Sequence, residues 1–249
     1  VVGSGDSVLS CNLENLIHAH KNSSAKVTIG LWQVPNPSEF GIVGLSKEQS
    51  GKIDGGLEEG YVVKFLEKPE PENAFSDVIN AGLYIIEPEV LELIPKDEKY
   101  DFSKQLFPKL LELGWPIFGK KIEGVWFDVG LPEELIKAQH TLIRDREDLP
   151  FDMPKGKIIG VNGFEFTKSI TMATNVGSVI SSGSIIDKDT ILENSLVMTE
   201  TQIGNNCKIY NSVIGSNVLI GNFCTIENCV IGDNVRIEEN SSFIDEKLD

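Results

Sequence analysis

The second half of the chain repeats a large apolar side chain at intervals of six, six and five residues. The repeated residues are Ile180, Ile186, Leu192, Val197, Ile203, Ile209, Ile214, Ile220, Ile226, Ile231, Ile237 and Phe243. Equivalent members of successive groups are 17 residues apart, a period that neither an amphipathic helix nor a series of hairpins produces over this length. We therefore predict a parallel β-helix with three short faces per coil from about residue 180 onward.

A second set of mostly small residues follows the aliphatic positions by four. Its members are Ser184, Thr190, Leu196, Thr201, Cys207, Val213, Val218, Cys224, Val230, Val235 and Ser241. Cys207 and Cys224 hold the same place in adjacent coils, so we expect them to lie near the coil spacing of about 4.8 Å. Buried thiols packing as small apolar groups explain this placement without a redox pair, and we interpret Cys11 and Cys229 in the same way.

The first part of the chain mixes strands and helices at the spacing of an α/β sheet. Strands rich in β-branched residues are predicted at 26–34, 40–45, 60–68 and 78–86. The stretch 144–156 then combines charges, two prolines and a glycine, and the composition changes after it. We predict an α/β domain over 1–146, a linker over 147–157 and a β-helix domain over 158–249.

Helix starts are marked by capping residues. Asn12 is a candidate N-cap, and Pro132 is expected to open a helix. Asp101 is the predicted cap of the segment DFSKQLFP, which we interpret as a helix with core residues Phe102 and Phe107 rather than as a chemical motif.

The charge balance excludes one class of partner. The chain has 22 basic and 38 acidic residues, for a net charge of −16, and no dense Lys/Arg cluster. Nucleic acid is therefore not an expected partner, and any phosphate site must be built locally from Lys, Arg, backbone N–H groups or a metal ion.

No apolar run approaches the roughly 20 residues that span a bilayer, and the first ten residues do not resemble a signal peptide. We expect a cytoplasmic protein with reduced cysteines.

Short motifs point to a family. The hexads with Ile-Gly steps resemble the left-handed hexapeptide β-helix of acyltransferases and of several nucleotide-sugar enzymes. The motifs ahead of them are GD at 5–6, FG at 40–41, EKP at 67–69, NAGLY at 80–84, DFSKQLFP at 101–108 and WFDVG at 126–130. In this order they resemble sugar-1-phosphate nucleotidyltransferases, and most resemble mannose-1-phosphate guanylyltransferase-like proteins. The resemblance implies a partial nucleotide-diphospho-sugar transferase (Rossmann-like) domain followed by a left-handed parallel β-helix.

Two aspartates are candidate catalytic residues and metal ligands. Asp6 and Asp128 each end an apolar strand, and the carboxyl ends of strands face the ligand crevice in open α/β sheets. Two carboxylates could share one Mg²⁺, which prefers oxygen ligands and keeps substrate phosphates in its shell. The resemblance implies this role for both residues.

A charged pair is the main candidate for substrate binding. Pro69 breaks strand pairing after Glu67 and Lys68, so both side chains can enter a cleft near the strand end. The resemblance implies that Glu67 accepts sugar hydroxyls and that Lys68 meets the sugar phosphate. A solvated charged edge is the alternative for an isolated pair of this kind.

Three further residues complete the predicted substrate site. Asn80 can offer both a donor and an acceptor to a sugar hydroxyl. Gly41 and Gly82 would let the backbone approach the substrate closely, with strand-bulge glycines as the alternative interpretation.

The resemblance implies transfer of a nucleotidyl group from a nucleoside triphosphate, with GTP favoured, to a hexose-1-phosphate, with mannose-1-phosphate favoured. A glucose-1-phosphate thymidylyl- or uridylyltransferase and a non-catalytic regulatory or assembly subunit are the alternatives. A hexapeptide acyltransferase would need a β-helix histidine as its base, but His18, His20 and His140 all precede residue 151. We also expect a homo-oligomer formed through the β-helix.

Family members carry a Gly-rich loop, with an arginine and a following lysine, ahead of the first motif found here. No such loop precedes Asp6. We therefore expect the chain as numbered to bind nucleotide poorly and the encoded protein to extend further upstream.

Overall fold

The computed structural model describes residues 1–149, 152 and 155–249. Internal contacts divide the chain into two units, Val1–Trp126 and Phe127–Asp249. The linker predicted at 147–157 includes residues outside the described set, and the domain limits drawn from the sequence stay predictions. No helix in the described part of the chain is both long enough and apolar enough to cross a membrane.

The first unit is built on a mixed sheet. Its strands are β1 (Val2–Gly3), β2 (Ser7–Ser10), β3 (Val27–Gln33), β4 (Gly41–Ser46), β5 (Glu59–Glu67), β6 (Val78–Ile86), β7 (Ile117–Lys121) and β8 (Val125–Asp128), the last of which spans the division between the units. Six strands form one sheet in the order β1-β6-β3-β7-β5-β4, and β2 pairs with β8. Within the six-stranded sheet only β3 and β7 run parallel. The four strands predicted from the sequence are confirmed at β3 to β6, within one residue at each end.

Helices cover this sheet. They are α1 (Leu13–Ser23), a 3₁₀ turn (Pro71–Asn73), α2 (Pro88–Leu91), a π-helical turn (Phe102–Leu106) and α3 (Phe107–Glu112). Asn12 caps α1 by accepting from the N–H groups of Glu14 and Asn15, and Asp101 caps the π-helical turn, so both predicted caps are confirmed. The core between helices and sheet contains Val27, Ile29, Leu31, Val43, Leu45, Val62, Tyr84, Val90, Leu106, Phe107, Leu110 and Ile117.

Two of the three histidines have packing or surface roles in this unit, as predicted. His18 is exposed on α1. His20 is buried, with Nδ1 2.8 Å from the Thr28 hydroxyl on β3 and Nε2 3.0 Å from a carboxylate oxygen of Glu87. Both ring nitrogens of this histidine are therefore satisfied, and they hold α1 against the sheet.

In its described residues, the second unit contains one helix and a stack of short strands. The helix is α4 (Pro132–Arg144), which begins at the predicted proline. The strands are β9 (Gly156–Ile159), β10 (Gly163–Phe166), β11 (Ile170–Thr171), β12 (Thr174–Val176), β13 (Val179–Ile180), β14 (Ile185–Ile186), β15 (Ile191–Glu193), β16 (Leu196–Val197), β17 (Gln202–Ile203), β18 (Lys208–Tyr210), β19 (Val213–Ile214), β20 (Leu219–Ile220), β21 (Thr225–Glu227), β22 (Val230–Ile231), β23 (Arg236–Ile237), β24 (Ser242–Ile244) and β25 (Lys247–Leu248).

These strands form the three faces of a parallel β-helix, which confirms the predicted architecture. One face is the stack β10-β13-β16-β19-β22-β25, the second is β11-β14-β17-β20-β23, and the third is β12-β15-β18-β21-β24. Equivalent residues pair at the 17-residue period, as Val179 does with Leu196 and Leu196 with Val213. The strand β9 is the exception, because it pairs antiparallel with β10.

The stack begins one coil earlier than the aliphatic repeat indicates. Its first coil places Glu165, Thr171 and Asn175 in register with the buried residues Ile180, Ile186 and Leu192 of the next coil. Because these three positions are polar, the apolar pattern at residue 180 marks the second coil rather than the first.

Left-handed backbone turns connect the faces. At one corner Asn194, Asn211, Asn228 and Asp245 all have φ between 45° and 58°. Asparagine and aspartate tolerate this region better than other non-glycine residues, because their short side chains can hydrogen-bond locally. The frequent asparagines of this segment are therefore the turn residues of successive coils.

Buried hydroxyl groups connect the corners of neighbouring coils. Thr201 donates to the carbonyl of Gly215 at 2.7 Å and accepts from the N–H of Val218 at 3.1 Å.

Cys207 and Cys224 occupy equivalent corner positions, are fully buried, and each lie 3.1 Å from a carbonyl oxygen one coil away. Burial raises the pKa of the Cys207 thiol. Cys207, Cys224 and Cys229 are buried, as the packing interpretation predicts, whereas Cys11 is only half-buried.

The hydroxyl of Thr201 should be worth a measurable part of the stability of the β-helix. Thr201→Val keeps the shape of the side chain but leaves the buried N–H of Val218 without its acceptor, so we expect a loss of about 1–3 kcal/mol in the free energy of unfolding by urea. Thr199→Val is the matched control, because Thr199 is exposed, and it should change stability by less than about 0.5 kcal/mol. Equal effects of the two substitutions would contradict the assignment.

Candidate active site

The motif Glu67-Lys68-Pro69 lies where β5 ends. Glu67 pairs with Gly41 of β4, and the N–H of Lys68 donates to the carbonyl of Phe40 at 3.0 Å. Lys68 then turns the chain with φ 44°, a left-handed conformation that costs a residue with a side chain about 1–2 kcal/mol. Lys68 is exposed and Glu67 is half-buried. The predicted turn after the charged pair is present, and its backbone strain is of the kind that clusters at functional sites.

The glycine of the FG motif makes room for the glutamate. A Cβ atom on Gly41 would lie 2.6 Å from Glu67 Oε2 and 2.6 Å from the ring of Phe65. Any larger residue at this position would therefore displace the Glu67 carboxylate. The predicted close approach of a substrate to Gly41 stays a prediction, while its contact with Glu67 is a feature of the fold.

The motif NAGLY forms a polar network within β6. Asn80 Nδ2 donates to the hydroxyl of Tyr84 at 2.8 Å and to the hydroxyl of Ser103 at 3.3 Å. Asn80 Oδ1 accepts from the N–H of Gly82 at 2.9 Å, and Gly82 adopts φ 73°. Both amide hydrogens of Asn80 are thus engaged inside the protein, which leaves its oxygen as the atom with remaining capacity.

Charges of both signs surround this network. Burial raises the pKa of Glu67 and the negative charge of Asp101 adds to the increase, while Lys68, Lys104 and the Ser103 hydroxyl act in the opposite direction. Burial is also the main reason why the pKa of Tyr84 is raised, and nearby carboxylates, including that of Asp6, contribute. The structure therefore brings Asp6, Glu67, Lys68, Asn80, Gly82 and Gly41 into one region of the first unit.

The aromatic part of the WFDVG motif is anchored beside β6. Trp126 Nε1 donates to the carbonyl of Ala81 at 2.9 Å, and its ring packs edge-on against Phe40 with centroids 5.6 Å apart. Asp128 is exposed and belongs to the second unit, so its pairing with Asp6 stays a prediction. Among the described residues no group of three or more His, Cys, Asp and Glu side chains is arranged to hold a metal ion.

Sequence reasoning missed three neighbours of the charged pair. Tyr84, Ser103 and Lys104 all act on Glu67 or Asn80 in the structure. Ser103 and Lys104 belong to DFSKQLFP, which was assigned to packing alone. The available signal was the polar pair Ser-Lys directly after the cap Asp101, where a helix begins and its side chains can face a neighbouring strand end.

Comparisons with known proteins identify a family for most of the chain. A family model described as Nucleotidyl transferase matches residues 1–145, and one described as GMPPB C-terminal domain matches residues 165–247. A UTP–glucose-1-phosphate uridylyltransferase of Synechocystis sp. is 27% identical in an alignment of 231 residues that covers 84% of this chain and 57% of the relative. A mannose-1-phosphate guanylyltransferase of Mycobacterium tuberculosis is 29% identical over 211 residues, or 84% of this chain and 55% of the relative.

A glucose-1-phosphate adenylyltransferase of Clostridium kluyveri is also similar, at 28% identity in an alignment of 222 residues that covers 80% of this chain and 55% of the relative. The chain thus spans about half the length of the curated relatives it matches. The three relatives are named for different nucleotides, so their names do not select one base.

The raised pKa of Glu67 can be measured directly. We expect its carboxyl carbon to titrate, by NMR, above the ordinary glutamate value of about 4.3. The pKa of Glu67 is higher in the folded protein than in the unfolded chain. Its contribution to the free energy of unfolding is therefore complete below the unfolded pKa and is lost as pH rises through the folded pKa. Glu67→Gln should therefore flatten the fall in stability above about pH 4.3, whereas Glu72→Gln, at an exposed position, should not. A titration midpoint at or below the ordinary value would contradict this prediction.

Proposed function

This chain belongs to the nucleotidyl transferase family, and we propose that the protein transfers a nucleotidyl group from a nucleoside triphosphate to a hexose-1-phosphate. The products are a nucleoside-diphosphate sugar and pyrophosphate. The observation that carries this proposal is the grouping of Glu67, Lys68 and Asn80, at the end of β5 and near the start of β6, within the matched region.

The proposed roles follow from the chemistry of each group. Glu67 accepts hydrogen bonds from the hydroxyl groups of the sugar, and the Asn80 side-chain oxygen can accept one as well. Lys68 meets the phosphate of the sugar-1-phosphate as a point charge. Gly82 lets the substrate approach the backbone, and Gly41 keeps the Glu67 carboxylate in place. A local cation is required because the chain as a whole, at −16, repels anionic substrates.

We further propose that Asp6 and Asp128 hold a Mg²⁺ ion. Both are exposed carboxylates, and oxygen donors of this kind are what the ion prefers. When bound, it would neutralise charge on the α-phosphate of the nucleotide. The protein's own contribution is to orient the sugar phosphate so that its oxygen attacks the α-phosphorus in line, with pyrophosphate leaving and no covalent enzyme intermediate.

GTP and mannose-1-phosphate are the proposed substrates. The similarity to a mannose-1-phosphate guanylyltransferase and the GMPPB C-terminal domain match support this choice. The similarities to uridylyl- and adenylyltransferases make UTP and ATP with glucose-1-phosphate the competing pairs.

A coupled pyrophosphate-release assay tests the activity. We expect release by the full-length encoded protein with one pairing of GTP, UTP, ATP or dTTP with mannose- or glucose-1-phosphate. Asp128→Asn should lower the rate at least about 100-fold without changing the circular dichroism spectrum, by loss of charge stabilisation in the transition state. Asp97→Asn is the matched control, because Asp97 is exposed and has φ 63°, which asparagine tolerates.

Absence of release from every pairing would favour the alternative of a non-catalytic regulatory or assembly subunit. A normal rate for Asp128→Asn would instead leave the activity in place and remove the metal assignment.

We also propose that the protein forms a homo-oligomer through its β-helix, which is left-handed as the hexapeptide resemblance implies. Phe223 supports this, because its side chain is 58% exposed and its φ is 60°. The equivalent corners of the adjacent coils are occupied by Asn206 and Asn240, which suit a left-handed turn. Aromatic residues are enriched at protein interfaces. Phe223 exposes its ring at a left-handed turn, a backbone conformation that suits asparagine better than phenylalanine.

Size-exclusion chromatography with light scattering tests the oligomer. We expect a mass above the 27.4 kDa of one chain, and a shift towards that mass for Phe223→Asn. The substitution should not reduce stability, because asparagine fills the same corner in the neighbouring coils. A wild-type mass of 27.4 kDa at micromolar concentration would contradict the proposal.

A further inference from the structure

We propose that the turn Asp101–Lys104 is a third wall of the sugar-phosphate site, in which Ser103 positions Glu67 and Asn80, and Lys104 supplies a second cation for the phosphate. This inference rests on the proposed function and extends it to a segment whose sequence pattern indicates packing alone. The ligand class is a hexose-1-phosphate, whose dianionic phosphate lies between two lysines.

The backbone of the turn holds both residues in place. The Asp101 carboxylate accepts from the N–H groups of Ser103 at 2.8 Å and Lys104 at 2.9 Å. The carbonyl of Asp101 accepts from the N–H of Leu106 at 3.2 Å, a five-residue step that widens the turn into a π-helical one. Leu106 and Phe107 are fully buried beneath it. Wide turns of this type occur frequently at functional sites.

Ser103 connects the two predicted sugar ligands. Its hydroxyl oxygen accepts from Asn80 Nδ2 at 3.3 Å, which leaves the hydroxyl proton free to be donated. The same hydroxyl lies close enough to Glu67 to lower the pKa of that carboxyl. One small side chain therefore contacts Asn80 directly and borders Glu67, so Ser103 is a positioning residue rather than a catalytic one.

Lys104 follows directly and is exposed. Within the described part of the chain, neither Lys104 nor Lys68 belongs to any of the eight ion pairs. Both lysines nevertheless lie near enough to Glu67 for their charges to lower its pKa. A dianionic phosphate is repelled by the net charge of −16 on this chain and therefore needs local positive charge. Lys68 and Lys104, neither of them in one of these ion pairs, would supply it beside this site.

Binding of mannose-1-phosphate and of inorganic phosphate to this chain, followed by ³¹P NMR at low salt, tests the role of Lys104. We expect Lys104→Gln to weaken binding of both probes about 10-fold, as for loss of a charge-assisted contact. Lys104→Arg should stay within about 3-fold of the wild type, since it keeps the charge. Lys99→Gln removes an exposed charge outside the turn and should leave binding unchanged.

Ser103 has its own readout. Ser103→Ala should weaken binding of mannose-1-phosphate several-fold, leave that of inorganic phosphate unchanged, and move the titration of Glu67 upward in the NMR experiment. Ser103→Thr keeps the hydroxyl and should restore both values. A purely structural serine would move neither the Glu67 titration nor the ratio of the two affinities.

The possible outcomes separate this inference from the proposed function. Wild-type binding that is lost in Lys68→Gln but unchanged in Lys104→Gln and Ser103→Ala would overturn the inference and leave the proposed function intact. No binding of mannose-1-phosphate or glucose-1-phosphate by the wild type would overturn both. Circular dichroism of each variant shows that a loss of binding is not a loss of folding.

Discussion

The backbone groups on the strands of the β-helix find their hydrogen-bond partners one coil, or 17 residues, away. That requirement fixes where the chain must turn, and it places left-handed residues such as Asn194 and Asn211 one above the other. Corner side chains then satisfy the N–H groups that the strands do not pair, as Thr201 does for Val218. The apolar interior fills the space that this hydrogen-bonded frame encloses.

The same left-handed turn has a different consequence in the first unit. At the corners of the β-helix it falls mainly on asparagine, which adopts it at low cost, and it serves the fold. At the end of β5 it falls on Lys68, where asparagine or glycine would be less strained. The strain is accepted next to the half-buried Glu67, in a region where several charged and polar side chains converge.

The sequence was sufficient wherever a local rule and the tertiary structure agree. Asn12 and Asp101 cap helices because their side chains reach N–H groups only two or three residues away. The first coil of the β-helix escaped the apolar pattern because Glu165 and Asn175 take inward positions there. Ser103 could not be assigned from sequence, because its partner Asn80 is distant along the chain and meets it only once the sheet and the π-helical turn have formed.

The balance of charges around Glu67 explains why this region is suited to a ligand rather than only to the fold. Burial and Asp101 disfavour the ionised carboxylate, as its raised pKa shows, while the lysines and the Ser103 hydroxyl compensate only in part. A half-buried carboxylate short of donors gains from any hydroxyl group that can donate to it. Lys68 and Lys104, in turn, take part in no ion pair among the described residues. A sugar phosphate carries both hydroxyl donors and an anion, so a single ligand of this class would satisfy both deficits at once.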